Sequence, residues 1–161
     1  MVAGAALAVL AALAFSFMFA GGPPYLVLAN DDTGAVLLRH PAYQGQEFSI
    51  SYIHSVNQSP VKEIYTIDGG RIVLTALEFE AFGAGMPTQL EPGQALINLP
   101  DGGMRIEGFD RAIDQLRYMI PHGTDITLTL GERQISLSSL DAPGQTVRFS
   151  VLQRGFWHRF F

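Results

Sequence analysis

The chain has no cysteine. That excludes disulfides, thiolate zinc sites and a thiol nucleophile together. It does not fix the compartment, since exported proteins without disulfides are common. Basic charge is also scarce: ten Lys and Arg stand against fifteen Asp and Glu, a formal net charge of −5. Phosphate neutralisation needs a basic face, so nucleic acid is not an expected partner. Reaction signatures are missing as well. There is no G-x-S-x-G elbow, no H-x-H or H-E-x-x-H pair and no carboxylate-rich calcium loop. The sequence therefore assigns no catalytic residue, no metal and no cofactor. No internal repeat is evident.

What is present begins with a long apolar run. Val2 to Ala20 is interrupted only by Gly4 and Ser16. As a helix it spans about 28 Å, close to the hydrocarbon thickness of a bilayer. It lacks the polar face of a surface helix. Residues 1–20 read first as a transmembrane anchor, with a cleaved signal peptide as the alternative; Ala12-Leu13-Ala14 fits a cleavage site. Either reading makes the lipid bilayer a partner of residues 2–20. Either also sends the rest of the chain out of the cytoplasm, to the periplasmic side of an inner membrane or free in the periplasm. Gly21-Gly22-Pro23-Pro24 ends the helix and serves as a linker, because proline cannot continue the hydrogen-bond ladder.

Residues 25–152 read as one all-β domain. Short apolar runs at Tyr25–Ala29 and Ala35–Arg39 flank a turn-rich Asn30–Gly34. Gln46–His54 alternates, placing Phe48, Ile50, Tyr52 and His54 on one face. Val61–Asp68 alternates again, with Val61, Glu63, Tyr65 and Ile67 together. Asp68-Gly69-Gly70-Arg71 is a hairpin signal, after which Ile72–Phe82 returns as a strand. Residues 46–82 are thus expected to form a three-stranded meander. Residues 83–103 read mainly as loop with a short strand at Ala95–Asn98. Met104–Phe109 alternates weakly, and a helical turn is expected near Asp110–Asp114 before another strand. Asp125–Leu130 and Arg133–Leu137 form a hairpin around Gly131-Glu132, and Gln145–Leu152 is the last strand. Roughly nine short strands predict an antiparallel β-sandwich or partly open barrel, preceded by the one N-terminal hydrophobic helix.

Residues 153–161 form an aromatic, basic tail. On a helix, Phe156, Trp157, Phe160 and Phe161 share a face opposite His158 and Arg159, a pattern suited to a membrane interface. The alternative is a final strand whose aromatics complete the core, or a frayed end.

The densest set of polar groups lies at Ser51–Tyr65. His54 and Ser55 are adjacent, so on a strand they face opposite ways and cannot form a nucleophile–base pair. A catalytic serine would need His40, His122 or His158. A metal site could draw on His54, Glu63 and His122. The structural reading of His54 is a strand-end histidine bonded to the following loop or to Glu63. Gly83 and Gly85 allow a tight turn that exposes Met86 and backbone donors, and those donors with His54 and Lys62 could frame a small anion pocket. The candidate binding residues are therefore His54, Ser55, Asn57, Lys62, Glu63, Gly83, Gly85 and Met86. The membrane-interface candidates are Phe156, Trp157, Arg159, Phe160 and Phe161.

Three stretches carry a resemblance: Ser51–Val56, Ser59–Tyr65 and Phe82–Pro87. In this order they resemble a bacterial domain-of-unknown-function family, number eighteen-fifty in its series. The resemblance covers roughly residues 25–152. It implies a small exported protein encoded beside TAXI-type TRAP solute transporters, whose components become the expected partners. It implies no catalytic or binding residues. Pro121-His122-Gly123 matches the family's second histidine region only loosely. The function read from all this is a non-enzymatic, membrane-anchored or exported accessory and binding module. The alternative is a metal-binding or hydrolytic enzyme centred on His54 and Glu63.

Overall fold

A computed structural model describes residues 23–82, 87 and 89–152 of the chain. The apolar run at 2–20, Gly83, Gly85 and Met86, and the tail candidates Phe156, Trp157, Arg159, Phe160 and Phe161 lie outside those residues. Among the described residues no helix is long and apolar enough to cross a membrane.

Eleven strands are described. In chain order they are β1 (Tyr25–Asn30), β2 (Val36–Pro41), β3 (Glu47–Ile53), β4 (Pro60–Asp68), β5 (Arg71–Phe79) and β6 (Ala95–Asn98). Then come β7 (Met104–Ile113), β8 (Leu116–Met119), β9 (Ile126–Leu130), β10 (Arg133–Ser136) and β11 (Thr146–Leu152). A single 3-10 turn covers Leu137–Ser139. All pairings are antiparallel. One sheet has the order β2-β1-β11-β8, the other β10-β9-β3-β4-β5-β7-β6. The all-β, antiparallel expectation holds, and the two sheets stay separate as in a sandwich.

The expected meander is β3-β4-β5. Gly69 and Gly70 both take positive φ, 55° and 76°, which is the primed turn that a tight hairpin requires. The expected helical turn at Asp110–Asp114 is not formed. β7 runs on through Ile113, because residues beyond Glu107 bulge past β5 and then re-pair, Arg111 with Leu74 and Ile113 with Ile72. Gly108 sits in that bulge at φ +85°, and a Cβ there would lie 2.2 Å from the Gly93 carbonyl oxygen. Only glycine allows the segment before β6 to lie this close to β7.

The main core forms between the sheets, from Leu26, Leu28, Leu116, Val147 and Phe149 on one side and Phe48, Ile50, Tyr65, Ile67 and Leu128 on the other. Phe48 stacks on Tyr65 at 5.2 Å and on Phe149 at 6.3 Å, so aromatic contact spans the gap. Ile50 and Leu128 are fully buried, each contributing about 1.5–3 kcal/mol by removal from water. A second cluster, Val61, Leu77, Phe79 and Ile106, continues the inner face of the larger sheet. Phe82 meets Phe79 edge-on at 5.1 Å.

Candidate functional site

Register places Glu63 unusually. Directly across the larger sheet run Ile135, Leu128, Ile50, Glu63, Leu77, Ile106 and Leu96. Every partner in this row is aliphatic, and Glu63 is its one carboxylate. Alternation along β4 puts Glu63 on the face of Val61, Tyr65 and Ile67, which points at the core. A charge taken out of water there needs hydrogen-bond partners.

Three phenols supply them. Tyr52, on the neighbouring strand β3, donates to Glu63 Oε1 at 3.3 Å. Tyr65, two residues along β4, donates to Oε2 at 2.9 Å. Tyr118 donates to the same oxygen from β8, in the opposite sheet. The Tyr65 and Tyr118 hydroxyls lie 2.8 Å apart, so with one proton each they share their donation between the carboxylate and one another. The ring of Tyr118 packs edge-on against Phe149, 5.8 Å away. The cluster thus joins the two sheets through a carboxylate set between aromatic walls.

The phenol protons are held tightly. Burial, and then the nearby Glu63 charge, raise Tyr52, Tyr65 and Tyr118 well above the ordinary value of 10.0. Desolvation disfavours the phenolate, and a second negative charge beside Glu63 disfavours it further. These hydroxyls act as donors to the carboxylate rather than as bases.

His54 is turned to a different task. β3 ends at Ile53, so His54 opens the loop instead of closing the strand. Its backbone N–H donates to Ser59 O at 2.9 Å, and its carbonyl accepts from Gln58 N at 2.8 Å. Its Nδ1 accepts from the backbone N–H groups of Val56 and Asn57, at 3.2 and 3.3 Å. The side-chain proton therefore sits on Nε2. This is the loop-bonded role expected for His54; the bonds on Glu63 come from tyrosines. Gln58 takes the left-handed φ of 53° that closes the loop. Ser55 is exposed, and Asn57 Nδ2 is buried with no hydrogen-bond partner among the described residues.

Lys62 lies on the opposite face of β4 from Glu63 and pairs with Glu78 at 3.1 Å. Arg105 bonds the same carboxylate at 3.0 Å. His54, Lys62 and Glu63 thus belong to three local environments: loop, outer face and inner face. Among the described residues no three His, Cys, Asp or Glu side chains gather as a metal site.

Sequence reasoning missed the tyrosines. Tyr52 and Tyr65 carried a usable signal, since each alternates onto the apolar face that also holds Glu63. Tyr118 carried none, because its strand belongs to the other sheet.

No curated protein and no solved structure matches the chain. A family model does match residues 48–137, the stretch that contains the His54 loop, Glu63 and all three of its tyrosines. The chain belongs to the family described as Domain of unknown function (DUF1850).

Proposed function

We propose that the chain is a non-enzymatic accessory module of the cell envelope, held at the membrane by residues 2–20 and acting through protein recognition. The observation that carries the reading is where the reactive groups are spent. Glu63 accepts three phenols and braces one sheet to the other. His54 accepts two loop amides and shapes the turn. Both groups are engaged in the scaffold, which would hold a recognition surface in place. The surface so held is exposed and partly apolar, with Ile53 and Val56 at the loop. The tail aromatics Phe156, Trp157, Phe160 and Phe161, with Arg159, would rest at the headgroup level.

The partner follows from the family resemblance: a component of a TAXI-type TRAP solute transporter. Crosslinking in intact membranes, followed by identification of the adducts, tests it. The expected result is repeated recovery of a TAXI-type binding protein or its membrane subunit. Recovery of the chain alone, over repeated trials, overturns the assignment.

A further inference from the structure

Among the described residues, the two antiparallel sheets leave four edge strands, and three of them carry the features that keep open edges from pairing. β2 holds Arg39, His40 and Pro41; β8 holds Arg117; β10 holds Arg133. The fourth, β6, reads Ala95-Leu96-Ile97-Asn98, with no charge and no proline. All four of its residues are exposed, including Leu96 at 42% and Ile97 at 39%. We propose that β6 is a docking edge that takes an extended strand of a partner protein with an apolar centre and basic flanks.

The backbone is poised for this. Leu99 N donates to Gly103 O at 2.8 Å at the start of the β6–β7 hairpin. Counting back by the two-residue alternation of antiparallel pairing, Ile97 and Arg105 are the next hydrogen-bonded pair and Ala95 and Glu107 the one after. The N–H and C=O groups of Leu96 and Asn98 therefore point to the open edge. An added strand would satisfy them, and its side chains would continue both faces of β6. On the inner face it would meet Leu96, beside the shallow groove of about 70 Å³ formed with Phe82, Pro87 and Leu90. On the outer face it would meet Ile97.

Charge selects the occupant. Glu91 and Asp101 bracket β6, both are exposed, and neither forms an ion pair among the described residues. A second copy paired antiparallel along β6 would bring the turn carrying Glu91 in one copy toward the turn carrying Asp101 in the other, acid near acid at both ends. A strand with Lys or Arg at its ends meets the same two carboxylates favourably. The inference rests on reading the chain as a binding module, but it names a surface that can be tested separately.

The test uses the full chain in detergent micelles, followed by backbone amide NMR. The probes are the peptide Lys-Thr-Val-Thr-Val-Thr-Lys and its counterpart with Glu at both ends. The basic peptide is expected to shift the Leu96 and Asn98 amides saturably and slow their exchange, while Ala95 and Ile97 amides change little. The acidic peptide is expected to bind about tenfold more weakly, a gap that narrows with added salt. Asn98→Pro removes one outward N–H without touching a β6–β7 bond, and Ile97→Lys charges the edge. Each is expected to abolish the response, with native amide shifts elsewhere showing that the fold is kept. Three results overturn the proposal: no response at Leu96 and Asn98, a response at β10 or β2 instead, or self-association of the free chain through these amides. Membrane crosslinking that recovers a transporter component alongside any of them would leave the module reading standing and remove only this edge.

Discussion

The Tyr118 phenol, on an edge strand of one sheet, donates to the Glu63 carboxylate, on a central strand of the other. That bond crosses the gap between the sheets at a point where the facing row is otherwise aliphatic. It makes a polar group part of the register between two layers that apolar contacts alone would hold less specifically.

Removing one partner should therefore hurt more than removing the whole cluster. Tyr118→Phe is expected to cost about 2 kcal/mol, since it deletes a bond to a charged acceptor. Glu63→Leu alone should cost about 2–3 kcal/mol, because it leaves the phenol donors without their acceptor. Combining Glu63→Leu with Phe at positions 52, 65 and 118 should recover much of that loss. Urea denaturation of the set checks this. A combined variant as unstable as the sum of its parts would contradict the bracing role.

Alkaline pH should unfold the domain through the same phenols. Their folded values lie above the ordinary 10.0, so the unfolded chain loses these protons first. The stability they contribute is fully present below pH 10.0 and declines as pH rises beyond it. Tyrosinate absorbance, followed alongside circular dichroism, should show Tyr52, Tyr65 and Tyr118 ionising together with loss of the fold. Tyrosinate from these three appearing while the fold persists would refute it.

His54 should be replaceable by a side chain that accepts at the same place. His54→Ala deletes the acceptor for the Val56 and Asn57 amides and is expected to cost about 1 kcal/mol. Asn at position 54 can accept from the amides two and three residues on, as in an Asx turn, and should restore most of it. Amide exchange at Val56 and Asn57 reads the effect locally. Equal protection in His54→Ala and the native chain would count against the loop role.

Gly108→Ala should loosen β6 in particular. The new Cβ would collide with the Gly93 backbone, and the residue sits at positive φ. A loss of about 2–4 kcal/mol is expected, with exchange rising first at Ile97, whose amide bonds to β7. Stability unchanged within error would mean that the 93–108 contact does not fix the edge.

Local patterns were legible in the chain wherever a single strand or turn decides them. Alternation at Phe48, Ile50 and Tyr52 marked the inner face of β3, and Gly69-Gly70 marked the type of the β4–β5 turn. The same alternation set Glu63 among apolar neighbours, which already distinguished it from Lys62 beside it. It failed at Asp110–Asp114, where the helical spacing of Ile113, Leu116 and Ile120 suggested a helical turn. There the bulge after Glu107 and re-pairing with β5 kept the backbone extended, a non-local gain that overrides local propensity.

The sequence by itself determined the all-β composition, the meander at 46–82 and the face on which each β3 and β4 side chain lies. These follow from the two-residue period of an extended chain, which is a local property. Only the tertiary structure decided that Tyr118 meets Glu63, 55 residues away. It alone decided that His54 serves its own loop, and that uncharged β6 forms the edge of the larger sheet beside β7. Strand order depends on which distant segments gain most by pairing and packing together, and no alternation within one segment encodes that choice.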